Sequence, residues 1–303
     1  MLLVPKPPAG GIVRLMNRLL SPTQIARYES DGFLVLRGFV DDELCLRLRE
    51  RALALALRHV PPPREATIFA ADGNAPHANA GYFLTSGEAI RCFFEKDAFD
   101  GDGGLRAEVH LCLNKLGHAM HDLDPVFDAF SRTPELAALA DDIGMEKPLL
   151  LQSMYIFKQA RIGGEVACHT DHTYLWTEPQ SVVGFWFAID DATTGNGCMW
   201  ALPGGHRLPV RTRSRLNDTR TATVLEVLNP EPYPTEGLVP LEAERGTLVL
   251  LNGALPHRSG PNLSDRPRHA YTLHAIDSVA RYLADNWLSR AALPLRGFGN
   301  VRP

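Results

Sequence analysis

From residue 149 onward the chain breaks into short runs rich in β-branched and aromatic residues, each fenced by Gly, Pro, Asn or Asp. The clearest are Leu149 to Lys158, Val182 to Ile189, Thr247 to Leu251 and Tyr271 to Ile276. Short runs of this composition suit a pleated sheet surface, and their regular punctuation by turn residues predicts an all-β sandwich or barrel. The first half reads differently. Ser21-Pro22 predicts a helix start, an N-cap with proline at the first helical position, and Gly32 its end. Phe33 to Leu36 reads as a short strand. Asp41 caps a longer helix to about His59, with Leu44, Leu48, Ala52 and Leu55 on one face. Residues 60–104 are loop-rich, and helical pattern returns over 106–121, 124–131 and 134–143. Helices followed by dense strands predict a mainly β fold with flanking helices, in one domain because no linker separates the halves.

Composition narrows the function classes. With 303 residues, 45% of them hydrophobic and 22% charged, the chain can bury a full core, and disordered, fibrous and collagen-like classes are excluded. A formal charge of −4 argues against nucleic acid as a partner, which normally needs a strongly basic face. The five cysteines are scattered and form no C-x-x-C pair, which fits a reducing, cytoplasmic setting better than a disulfide framework or structural zinc. No apolar run approaches the ~20 residues of a membrane span. Residues 1–20 carry Lys6, Arg14 and Arg18 without an acid, broken by Pro5, Pro7, Pro8, Gly10 and Gly11. They read as a disordered extension, leaving 21–303 as one domain with helical and loop elements over 21–148 and a strand-dense core over 149–277. No heptad pattern is present, so a monomer is expected.

The usual site patterns are missing. There is no phosphate-cradling P-loop, no G-x-G-x-x-G between strand and helix, no G-x-S-x-G and no H-E-x-x-H. What remains is His169-Thr170-Asp171. In extended backbone residues i and i+2 point the same way, so an imidazole and a carboxylate face one point. That is two-thirds of the 2-His-1-carboxylate triad of non-haem iron sites. Alone it means little, because a chain with 11 histidines is expected to hold about one such pair by chance. Downstream, the strand Thr247 to Leu251 runs into a turn and then His257, and Arg268 opens the strand through Tyr271 and Leu273. A β-sandwich can bring such a histidine beside the first pair and set the arginine deeper, where its planar fork suits a carboxylate.

With these go several longer stretches: Asp31 to Leu36, Tyr82 to Gly87, Phe93 to Lys96, Asn114 to Ala119, Gln152 to Lys158, Gly163 to Val166, Asn196 to Cys198 and Asn262 to Arg266. Together, over about Ser21 to Leu288, they resemble the Fe(II)- and 2-oxoglutarate-dependent oxygenases of the phytanoyl-CoA dioxygenase family. The resemblance implies a double-stranded β-helix, the cupin-like jelly roll, in agreement with the sandwich reading. It implies that His169, Asp171 and His257 hold Fe(II), and that Arg268 pairs with the distal carboxylate of 2-oxoglutarate with Ser259 adding a hydroxyl. It also places Lys115, Met154 and Trp186 around the cosubstrate, although Met154 and Trp186 sit in apolar strands where core packing explains them equally well. The implied chemistry uses O₂ and couples decarboxylation of 2-oxoglutarate to succinate with C–H hydroxylation or a related oxidation.

The implied substrate is a small molecule, an acyl-CoA or another metabolite. Arg207, Arg211, Arg213, Arg215 and Arg220 could clamp phosphates or form a solvated basic loop, the latter being the simpler reading. The region from about Ala78 to His121, with Tyr82, Phe83, Phe93 and Phe94, is expected to wall the substrate pocket. His172 follows the motif directly and is read as solvent-facing or supporting, and His206 as a turn residue. Two other readings stay open: a metal- and 2-oxoglutarate-binding sensor without turnover, and a zinc hydrolase, which lacks an evident general base.

Overall fold

The computed structural model describes residues 18–62, 67–68, 80–100, 102 and 104–299. Two α-helices form where local chemistry demands them. In α1 (Pro22–Asp31) the Ser21 hydroxyl accepts from the Gln24 N–H at 3.2 Å, and the Gln24 side chain accepts from the Ser21 N–H at 2.9 Å. Gly32, at φ +80°, closes the helix in the left-handed region that favours glycine. In α2 (Asp42–His59) the Asp41 carboxylate accepts from the Leu44 N–H at 2.7 Å. Residues 1–17 of the expected extension lie outside the described residues; Leu20 is buried, and its N–H donates to Asp142.

The strands make two sheets. The large one has eight, in the order β1 (Phe33–Leu36), β13 (Leu248–Asn252), β8 (Val183–Ala188), β15 (Ala270–Asp277), β5 (Pro148–Ile156), β4 (Leu113–His118), β3 (Ile90–Phe94) and β2 (Thr67–Ile68). The small one runs β12 (Val239–Leu241), β9 (Met199–Ala201), β14 (His257–Ser259) and β6 (Val166–His169). Two short ribbons, β10 (Thr212–Leu216) with β11 (Thr223–Val227) and β7 (Thr177–Glu178) with β16 (Arg281–Tyr282), complete the β structure of the described residues.

The large sheet is covered on both faces, and the period of two along a strand decides which residue goes where. Phe185, Phe187, Leu248, Leu250 and Leu273 face the helices, packing with Leu48 and Leu55 of α2, Phe127 of α5 (Pro125–Ser131) and Leu136 of α6 (Pro134–Asp142). Trp186, Ala188, Val249, Leu251 and Ala270 face the small sheet, packing with Cys198, Met199, Ala201 and Leu241. The architecture is a jelly roll with helices on the outside of one sheet. No helix among the described residues is long and apolar enough to cross a membrane.

One expected element is overturned. The helical pattern read over 106–121 is not one helix: its longest element is the strand β4, which pairs antiparallel with β3 and β5. Five of its six residues are buried, so the alternation that marks a half-exposed strand is absent from the sequence. The first half therefore contributes four strands, β1 to β4, to the large sheet.

A charge network ties the C-terminal segment to this frame. The buried Asp122 carboxylate accepts from Arg132 at 2.7 Å, from Arg296 at 2.7 Å and from Arg290. Burial alone would raise the Asp122 carboxyl. His121 and the arginines outweigh it and hold the group down at about 2. His121 is itself pushed down to about 3 by burial, so near neutrality the arginines carry the effect. Because the folded pKa lies below the unfolded one, this stabilisation is present above about pH 4 and lost as pH falls through the folded value. Asp122→Asn removes the carboxylate charge that three guanidinium groups share, of which that of Arg132 is fully buried, and should lower the unfolding free energy by about 3 kcal/mol. Urea titrations from about pH 7 down to 3 check this. The wild type should lose stability across the acid range, and the variant should start lower with a flatter acid dependence.

Candidate metal centre

β6 and β14 are antiparallel neighbours, and their register sets His169 directly opposite His257. The two rings lie 4.4 Å apart, centroid to centroid. Thr170 keeps extended backbone (φ −120°, ψ 145°), so Asp171, the first residue of the short helix α7 (Asp171–Tyr174), turns to the same side as His169. Asp171 Oδ1 lies 3.8 Å from Nε2 of each histidine. The donor atoms of His169, Asp171 and His257 all fall within 4.8 Å of one another, and among the described residues no other such cluster occurs.

The tautomers fit a metal. His169 Nδ1 is 2.8 Å from the Ala167 carbonyl and His257 Nδ1 is 3.0 Å from the Leu255 carbonyl. A carbonyl only accepts, so each Nδ1 carries the proton and each Nε2 lone pair faces the shared point. Burial, with His257 beside it, pushes His169 down to about 4, so its imidazole is neutral near pH 7. Burial would raise the Asp171 carboxyl, but His274 and His257 hold it well below the usual carboxylate range. Two imidazoles and a carboxylate are the donor set of a first-row transition metal with open positions.

Of the other expected residues, Trp186, Met154 and Lys115 lie on the inward face of the large sheet. Trp186 on β8, Thr272 on β15 and Met154 on β5 are cross-strand partners in one row. Lys115 on β4 pairs with Ile156 in the next row, with its ammonium 3.9 Å from the Met154 sulfur. Burial pushes Lys115 down to about 7, partly opposed by Glu95. Arg268, just before β15, is 2% exposed and lies over the Trp186 ring, 5.4 Å from its centroid. Its Nη2 donates to the Gly197 carbonyl at 3.1 Å, while Nε and Nη1 have no hydrogen-bond partner among the described residues. Ser259, two residues after His257, donates to the same carbonyl at 2.9 Å and lies 3.5 Å from Arg268 Nη2. A buried guanidinium with two unused donor atoms fits an anionic ligand.

Other expected residues are placed elsewhere. His172 is buried and stacks on Trp176 at 4.1 Å, so it is not solvent-facing; the ring fills space beside α7. Arg207 bonds the Glu29 and Ser30 carbonyls, Arg213 pairs with Asp285, Arg215 with Glu226, Arg211 with Glu231, and Arg220 bonds the Ala284 carbonyl. Each of these arginines thus has a protein partner. Of the expected wall, Phe83 stacks on Trp287 at 4.2 Å and Phe93 packs near His118, whereas Phe94 belongs to the helix-side core. Residues 78 and 79 lie outside the described residues. Three polar residues beside the site were not anticipated: Gln152, His274 and Glu95. Parity was the available signal for one of them, since Arg268, Ala270, Thr272 and His274 share the inward face of one strand.

A model of the phytanoyl-CoA dioxygenase (PhyH) family matches residues 28–270. Phytanoyl-CoA dioxygenase of Arabidopsis thaliana is 38% identical over 277 residues, 91% of this chain and 95% of the relative. Phytanoyl-CoA dioxygenase domain-containing protein 1 of Bos taurus is 39% identical over 275 residues, 89% of this chain and 94% of the relative. Two structures of EctD from S. alaskensis share the fold. One, with bound Fe, has a TM-score of 0.65 at 18% identity, covering 93% of this chain and 87% of its own. The other, with 2-oxoglutarate and 5-hydroxyectoine, has a TM-score of 0.63 at 17% identity, covering 94% and 87%. A match across most of the chain, with identities near two-fifths, makes this protein a member of the phytanoyl-CoA dioxygenase family and an enzyme of dioxygenase type.

Proposed function

We propose that the protein is a non-haem Fe(II)- and 2-oxoglutarate-dependent dioxygenase that hydroxylates a C–H bond of a small molecule. One observation carries the reading: a two-histidine, one-carboxylate cluster is joined through β14 to a buried arginine with unused donor atoms, since Ser259, two residues after His257, lies 3.5 Å from Arg268 Nη2. The EctD structures, with Fe in one and 2-oxoglutarate in the other, support it. When bound, Fe(II) and 2-oxoglutarate supply O₂ activation coupled to decarboxylation of 2-oxoglutarate to succinate and CO₂, with oxidation of a substrate C–H bond.

The chain's own residues do the rest. His169, Asp171 and His257 hold the metal, and the Nδ1 bonds to Ala167 and Leu255 keep both imidazoles aimed at it. Arg268 receives the distal carboxylate, with Ser259 beside it and Trp186 and Met154 packed along the same face. Lys115 stands beside Met154 on the same face and, held to about 7 by burial, can carry positive charge when an anion lies near it. The protein-paired arginines of residues 207–220 leave this reading without a phosphate clamp there, so the substrate is sought among metabolites rather than assumed to be an acyl-CoA.

Anaerobic addition of Fe(II) and 2-oxoglutarate to the full chain should give a weak visible charge-transfer band, and admitting O₂ should release succinate. Asp171→Ala should abolish both. A band without succinate would favour a sensor, and an Asp171→Ala protein that behaves as the wild type would remove the iron assignment. Arg268→Ala should weaken 2-oxoglutarate binding by about 30-fold or more, the ~2 kcal/mol lower end for losing one partner of a buried charge pair. Fe(II) binding without cosubstrate should stay near wild type in that variant. Equal loss of both would make Arg268 a structural residue instead.

A further inference from the structure

Asp171 has two oxygens, and the histidines of the triad share only one of them. Oδ1 is 3.8 Å from both ligand nitrogens, whereas Oδ2 lies 3.2 Å from Nε2 of His274. His274 is 5% exposed and stands on the inward face of β15, directly across from Gln152 on β5 and Gly184 on β8. The Gln152 amide nitrogen is 3.2 Å from His274 Nδ1. An amide nitrogen can only donate, so Nδ1 accepts and the ring proton sits on Nε2, pointing at Asp171 Oδ2. A protonated Nε2 cannot itself ligate a metal. Gly184 completes the arrangement: a Cβ there would lie 3.1 Å from Asp171 Oδ2 and 3.6 Å from the His274 ring. Three adjacent strands of the large sheet thus address the one carboxylate oxygen that the small sheet leaves over.

We propose that Gln152 and His274 form a positioning relay that holds Asp171 as a single-oxygen metal ligand; the assignment rests on the metal reading above. A carboxylate free to rotate can present both oxygens and take two coordination positions. With Oδ2 committed to His274, Asp171 takes one, and the three protein ligands leave three positions for cosubstrate and O₂. His274 touches no reacting atom, so it acts through Asp171. Gly184 is the space the relay requires.

Mn(II) added to the full chain without cosubstrate provides the test. Its affinity is read by EPR, and the water-proton relaxivity of the bound ion reports how many waters it keeps. His274→Ala should weaken Mn(II) binding about 10–100-fold. It should also lower the relaxivity of the bound ion by about a third, one water of three being displaced by the freed oxygen. His274→Gln, whose amide can donate to the same oxygen, should restore most of both. Gln152→Met, which leaves His274 in place, should show the same changes in weaker form and carries the test if His274→Ala does not fold. Wild-type affinity and relaxivity in the variants would overturn the relay. A wild-type chain that binds no Mn(II) would overturn the metal centre and the relay with it, which separates the two failures.

Discussion

A sheet covered on both faces leaves no inexpensive place for a charge. Outside the strands of the large sheet lie the helices and their leucines, and inside lies the small sheet with Met199, Ala201 and Leu241. An unpaired polar group in such a setting costs several kcal/mol, and an unpaired charge more. Yet the inward face of β15 and its neighbours carries Arg268, Thr272, His274, Gln152 and Lys115 in adjoining rows. Polar residues at that density make sense only if each answers to another polar group, a metal or a ligand. The apolar part of the same face, with Val249 and Leu251 on β13 and Ala188 on β8, stabilises the fold and leaves the polar residues to β15 and the strands beyond it, β5 and β4. The fold and the site are consequences of the same two-sided burial.

That constraint explains what could be read from the chain and what could not. Strands β5, β8, β13 and β15 were legible because burial on both faces writes a continuous β-branched and aromatic run, as in Val183 to Ala188. The convergence of His169, Asp171 and His257 was legible in part: extended backbone puts the first two on one side, and a sandwich can return a strand beside them. The direct opposition of His257 to His169 was not, because register is fixed by long-range pairing. β4 failed for a different reason. Leu113 to His118 mixes an amide, a lysine, a glycine and a histidine with two leucines, and only its place between β3 and β5 makes it a strand. Lys115 stands on this strand and not on a helix, with its ammonium 3.9 Å from the Met154 sulfur on β5.

His274 shows the limit of pattern reading from the other side. A histidine two positions beyond Thr272 in an apolar strand looks like an ordinary core residue, and its contact with Asp171 depends on Gly184 across the sheet. Glycine there costs conformational entropy in a strand and removes a packing side chain. The sheet tolerates that cost where a carboxylate and an imidazole must approach the backbone. Glu95 is similarly invisible in sequence. It is 3% exposed, accepts from the Gly164 N–H at 3.2 Å, and shares its surroundings with Lys158, whose ammonium donates to the Gly164 carbonyl at 2.7 Å. The two hold the loop leading into β6, the strand that ends in His169.

The distribution of charge also constrains what the site can hold. A divalent ion held by His169, Asp171 and His257 would keep a net positive charge, since Asp171 would offset only part of it. Arg268 keeps two donor atoms turned toward no protein group among the described residues. Burial pushes its guanidinium down only to about 10, so it remains charged across the working range of any cytoplasmic or organellar pH. A neutral ligand would leave that cation desolvated and unanswered, and a monocarboxylate could answer only one of the two. A dicarboxylate offers one carboxylate to each, and Trp186, Thr272 and Met154 form the row of the inward face that lies between Arg268 and His274 along β15. Lys115, held to about 7 by burial, can adjust its protonation to what lies beside it. The two unused donor atoms of Arg268 are thus a physical reason for an anionic ligand there that stands apart from any resemblance to other proteins.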